Sequence, residues 1–153
     1  MGFITNRAKA DFAKKVHDWV NDTVRVILVT SANNATADND FVGDITTLGE
    51  LSGTGYVAGF GGSGRHVLST KTVLQDNAND RIELKAANET WTAIEAGTIA
   101  AGLIVRPVTT DADSYLIGKV DLAVARVTNS GDFIFKWADE SAGVGVVFRH
   151  GNA

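Results

Sequence analysis

Cysteine is absent and proline occurs once, at Pro107. The first absence excludes disulfide staples and thiolate metal sites. With proline so scarce, chain reversals fall to the sixteen glycines and to clusters of Asn, Asp and Ser. No stretch approaches the ~18 consecutive apolar residues of a membrane span. The N-terminus has no apolar run of the signal-peptide kind, so a cytoplasmically made protein with no membrane partner is expected. A surplus of positive charge is also missing. Fourteen Lys and Arg stand against eighteen Asp and Glu, a net charge of −4. A free duplex-DNA binder is more often basic, and no direct nucleic-acid contact is expected.

What is present is β patterning around one stretch, Gly97 to Leu122. Ile99 to Val105 is almost continuously apolar, which suits a strand covered on both faces. Gly97 and Gly102 weaken a helix there, and Pro107 ends one soon after. Thr109 to Ser114, TTDADS, is a polar turn. Beyond it, Leu116, Gly118, Val120 and Leu122 alternate with Tyr115, Ile117, Lys119 and Asp121, and the first set is the inward face of a second strand. Gly118 marks a bulge or a close backbone approach.

The rest of the chain reads as strands added to this pair, after one helix. Over Thr5 to Val20, Ala8, Phe12, Val16, Trp19 and Val20 recur at spacings of three and four. Thr5 or Asn6 caps its start. Its simplest role is to cover an open sheet edge or face; a partner-binding arm is the alternative. Thr23 to Thr30 is a β-branched strand with Val24, Val26 and Leu28 on one face and Ile27 and Val29 on the other. Both faces then need cover, and the helix is one candidate for it. Ser31 to Asp40 is a polar loop, and a short helical turn fits Thr46 to Leu51. Gly53 to Gly64 is a flexible loop anchored by Tyr56 and Phe60. His66 to Gln75 and Arg81 to Ala86 form a hairpin about Asp76 to Asp80, with Ile82 and Leu84 inward and Glu83 outward. Glu89 to Glu95 is a connection holding Trp91 and Ile94. Phe133, Phe135 and Trp137 share an aromatic face. Asp139 to Gly143 turns the chain, and Val144, Val146 and Phe148 make the last inward face. Short strands at regular intervals predict a mainly β fold, an antiparallel β-sandwich of jelly-roll or Greek-key type with one N-terminal α-helix. A single domain over 1–153 is expected, with its β-rich body over about 23–150.

Chemical motifs are weak. Gly59, Gly61 and Gly64 spell G-x-G-x-x-G, but a strand pattern follows where a dinucleotide site needs a helix. Asp38, Asp40 and Asp44 crowd one loop without the register of a calcium loop, since Val42 and Gly49 stand at ligand positions. His17, His66 and His150 lack any metal-ligand spacing. There is no G-x-S-x-G elbow. No cofactor, metal or catalytic residue is expected, and a non-enzymatic role follows.

Four segments carry a family likeness. They are VRVILVTS (Val24 to Ser31), ELSGTGYVAG (Glu50 to Gly59), TWTAIEAGTIAAGLIVRPVTTDADSYLIGKVDL (Thr90 to Leu122) and GDFIFKWADESAGVGVV (Gly131 to Val147). In their order and content the chain resembles a group of small virion proteins of tailed bacteriophages. The resemblance implies a β-sandwich with a structural place on the particle, without fixing head or tail. Size and composition fit a capsid decoration, or cement, protein on the exterior of the virion capsid. Its partner would be the major capsid protein, and a homo-oligomer, a trimer by expectation, would match shell symmetry. The contact residues expected on this reading are Phe12 and Trp19 of the helix, Asp38 and Asp40, and Phe60 and Arg65. A minor tail or head–tail adaptor protein is an alternative, as is a carbohydrate-binding attachment module using Tyr56, Phe60, Trp91 or Tyr115.

Overall fold

The computed structural model describes residues 2–151. The fold is mainly β, with 48% strand and 7% helix. In chain order the elements are β1 (Phe3–Ile4), α1 (Asn6–Ala13), β2 (Arg25–Val29), a 3-10 turn (Val42–Asp44), β3 (His66–Val67), β4 (Thr72–Asp76) and β5 (Arg81–Ala87). Then follow β6 (Glu89–Ile94), β7 (Thr98–Arg106), β8 (Tyr115–Val127), β9 (Gly131–Phe135), β10 (Ala138–Ser141) and β11 (Val144–Gly151). They form a five-stranded sheet of order β1-β8-β7-β2-β3, a four-stranded sheet of order β10-β11-β5-β4, and a β6-β9 ribbon. Every strand pairing is antiparallel.

The larger sheet is buried on both faces, as its unbroken apolar strands require. On one side lies the sandwich core. Val26 and Leu28 of β2, Ile104 of β7 and Ile117 of β8 meet Leu84 and Ala86 of β5 and Val147 and Phe148 of β11. Trp91, Ile94 and Phe135 from the β6-β9 ribbon join the same cluster. On the other side Ile27, Val29, Leu103, Val105 and Leu116 are covered by Ala35, Val42 and Ile45. Thus the loop after β2, rather than the helix, roofs the second face. The helix packs its Ala8 into the sandwich core, near Ile4 and Ile117.

The central pair β7-β8 stands as expected, with two register shifts. One falls between Ile99 and Ala101, and it moves β7 side chains from one core to the other. The other sets Leu116 and Gly118 of β8 against Val105 and Ile104, leaving Ile117 as the extra residue. Leu116 therefore faces the second core, and Ile117, expected outside, is buried in the first. Gly118 permits a close approach. A Cβ there would lie 2.3 Å from the Phe3 carbonyl oxygen and 2.6 Å from the Phe148 ring.

Several expectations are corrected. The helix stops at Ala13 rather than Val20. Lys15 adopts a left-handed φ of 59°, its N–H donates to the Phe12 carbonyl and that of Val16 to the Asp11 carbonyl. These two bonds are a Schellman ending, formed without the usual glycine. The short helical turn falls at Val42–Asp44, not at Thr46 to Leu51. The run His66 to Gln75 is broken by Thr70, with φ 49°, so β3 joins the large sheet and β4 the small one. Glu89 to Ile94 is a strand rather than a connection. Its bulge around Ala93 hid the alternation. On β5, Ile82 is exposed and Glu83 buried. Glu83 lies beneath Arg81 (3.1 Å) and Arg149 (3.0 Å), in a line of alternating charge that runs from Asp76 to Asp139 across four strands. Asp139 to Ser141 belongs to β10, which tightens the turn to Ala142 and Gly143.

Candidate interaction surface

The N-terminal helix is set by its cap. The Thr5 hydroxyl accepts from the Ala8 N–H (3.1 Å) and donates to the Leu116 carbonyl (2.8 Å), which pins the helix start to β8. On the helix's inner side, Asp11 is buried and accepts from Arg7 at 2.6 Å. His17 lies beside it, with Nε2 3.7 Å from the Asp11 carboxylate. The imidazole stands edge-on to Phe12 and to Tyr115, and neither ring nitrogen has a hydrogen-bond partner. Burial lowers the His17 pKa, against the pull of Asp11. Phe12 is accordingly half-buried, its ring spent on His17 rather than free on the surface.

Trp19 does not reach a surface. It is 2% exposed, and its indole N–H donates to the Lys85 carbonyl at 3.0 Å. Arg65 is 5% exposed and works internally. Its Nε and Nη2 donate to the two carboxylate oxygens of Glu50 (2.8 and 2.6 Å), and its Nη1 and Nη2 to Asp111 (2.5 and 2.9 Å). Burial alone would lower the Arg65 pKa, but these carboxylate hydrogen bonds raise it. The same Glu50 receives the Gly59 N–H and the Tyr56 hydroxyl, so the glycine loop is moored at its base. Tyr56 is fully buried. Its pKa is raised by burial and by the Glu50 charge, and its hydroxyl accepts from the Leu28 N–H.

Asp38, Asp40 and Phe60 remain at or near the surface. Asp38 accepts from the Asn6 side chain (2.8 Å), and Asp40 lies 3.5 Å from Arg7, so both flank the first turn of α1. Phe60 is half-buried and its carbonyl accepts from Arg25. Of the six expected contact residues, the fold groups Asp38 and Asp40 with the helix, and places Phe60 and Arg65 together on the glycine loop. That loop leads into strand β3, as its sequence context required. Of the aromatics considered for a sugar platform, Tyr56 and Trp91 are buried, which leaves Phe60 and Tyr115 half-exposed.

Surface residues outside the expected set are more prominent. Val16 is 44% and Val20 47% exposed, although helical spacing placed them in the core. Lys9, Lys14 and Lys15 are exposed and have no ion-pair partner among the described residues. A second apolar region lies on the small sheet, where Val73 of the edge strand β4 is exposed on the same face as Ile82, while Leu74 is exposed on the opposite face. A third lies at the far end of β8, at Val124 and Val127. The only sequence signal for these was their apolar character, which reads equally as core. Comparison with known proteins finds no match to a protein-family model, to a curated protein or to a solved structure.

Proposed function

We propose that the chain is a non-enzymatic virion structural protein of the capsid decoration type, which binds the major capsid protein on the outside of a bacteriophage head. The observation that carries this reading is the convergence of the four phage-like segments. The first supplies β2. The second crosses its end, where the Leu51 N–H donates to the Leu28 carbonyl and the Leu28 N–H to the Tyr56 hydroxyl. The third supplies β6, β7 and most of β8, and the fourth supplies β9, β10 and the start of β11. Phe135 of the fourth lies against Gly102 of the third and near Val26 of the first. The residues that carry the likeness thus pack against one another within the sandwich core, which supports the reading.

Such a protein acts by non-covalent contact repeated over a shell. Repetition raises effective affinity without any single strong site. The exposed apolar residues on β4, β8 and the turn after α1 are surfaces suited to that work. The test is copy number in purified particles by quantitative mass spectrometry, together with shell melting temperature. The reading expects a count comparable with the shell protein and a lower melting temperature when the protein is removed. A handful of copies assigns it to the tail or neck, and absence from particles refutes it.

A further inference from the structure

We propose that the outer face of α1 and the turn after it form a two-fold contact with a second copy of this chain. The argument is charge complementarity within one short surface. At the helix's C-terminal end stand Lys14 and Lys15, and Lys9 lies on its exposed side. None of the three has an ion-pair partner among the described residues. At the N-terminal end, Asn6 holds Asp38 at 2.8 Å, and Asp38 has no cationic partner among those residues. An eight-residue helix is about 12 Å long. Its two ends therefore present opposite charge within one contact.

A surface that is basic at one end and acidic at the other complements itself when a two-fold axis crosses its middle. Two antiparallel copies of α1 bring Lys14 and Lys15 of each chain to Asp38 of the other. Between the two ends the face is Lys9, Ala10 and Ala13, all exposed. The alanines raise no steric barrier, and Lys9, next to the axis, has to turn its ammonium outward to water, away from its symmetry mate. The contact also covers Val16, whose side chain otherwise faces water. Antiparallel helix dipoles favour the same arrangement. Nucleic acid fits less well, since three lysines stand on a chain of net charge −4. The inference does not depend on the virion assignment. It predicts a two-fold contact, which a trimer by itself does not contain.

The test is sedimentation velocity on the full chain at up to about 100 µM and about 50 mM salt, repeated at about 500 mM. The expected result is a dimer that dissociates at high salt. The double variant Lys14→Glu/Lys15→Glu should weaken association about thirtyfold, because the two-fold axis doubles each reversed pair. Asp38→Lys should act the same way alone. Mixing the two variants should restore the dimer, since every reversed charge then meets its opposite. Arg126→Glu, at the far end of β8, changes net charge equally per residue and should leave the dimer intact. A monomer at low salt overturns the proposal. So does a dimer indifferent to the lysine changes, an equal response to Arg126→Glu, or a mixture that fails to recover. All four sites are exposed, and circular dichroism checks that each variant keeps its fold.

Discussion

Arg65 grips Glu50 with two hydrogen bonds of 2.8 and 2.6 Å in a place where both side chains are nearly closed to water. Removing one partner of such a pair strands the other charge. Arg65→Ala is expected to cost about 3 kcal/mol or more. The midpoint of urea denaturation reads this directly. Glu50→Gln with Arg65→Met should cost less than Arg65→Ala, because the buried Glu50 charge is no longer stranded and Asp111, 32% exposed, keeps access to water; a double variant as unstable as the single one would contradict this account.

Gly102 sits under the ring of Phe135. A Cβ at position 102 would lie 2.9 Å from Cε2 of that ring and 3.1 Å from Cγ2 of Val26. Gly102→Ala overpacks the core, at about 1–3 kcal/mol. Adding Phe135→Leu to it should recover part of the loss. Equal stability of wild type and Gly102→Ala would show that the ring moves aside freely.

His17 and His66 both have lowered pKa values, and burial is the leading cause for each. Their neutral forms are favoured in the folded chain. The stability they contribute is present above the unfolded value near 6.5 and is lost as pH falls through the lower folded values. His17→Phe removes one of these groups, and with it two buried nitrogens that lack partners. The variant should be at least as stable as wild type at pH 8 and should lose less on acidification to pH 5. Glu89 has the opposite effect. Burial raises its pKa, so its contribution is full below about 4.5 and falls as pH rises through the folded value. Parallel melting curves for wild type and His17→Phe between pH 8 and pH 5 would rule out the His17 contribution.

Lys15 holds the left-handed position that ends α1. Glycine adopts that conformation without the Cβ conflict, though it adds freedom to the unfolded chain. Lys15→Gly is expected to gain about 0.5–1 kcal/mol. Thermal melting at about 500 mM salt, where the self-contact is dissociated, measures it, and a loss of stability there would contradict this account.

The large sheet was readable because β-branched runs left few alternatives. The two faces of β2 separate into the two cores as their alternation implied. The reading failed where conformation left no residue mark. Lys15, Thr70 and Ala93 take positive φ without being glycine, so the end of α1, the switch from β3 to β4 and the bulge in β6 were all silent. Trp19 followed a helical spacing by coincidence, since it is buried by a chain reversal that Asp18 and Asp22 tie together. Ile82 and Glu83 exchanged places because the small sheet extends past the shared core and two arginines cover the carboxylate. For the surface, sequence could mark aromatic and charged residues but not which were already paired. Arg65 looks like a surface cation until Glu50 and Asp111, distant in sequence, are seen to enclose it.

The order of the large sheet places β2 beside β7, pairing Arg25 with Val105 and Val29 with Ala101. Such a ladder closes only after a long intervening chain has been gathered in. Strands joined by short turns, as in β4-β5 and β7-β8, form early and cheaply. The β2 ladder forms late and carries the loop entropy of everything between. Refolding after dilution from denaturant should therefore run in the milliseconds-to-seconds range typical of non-local β topologies, with the hairpins protected from exchange before β2 is.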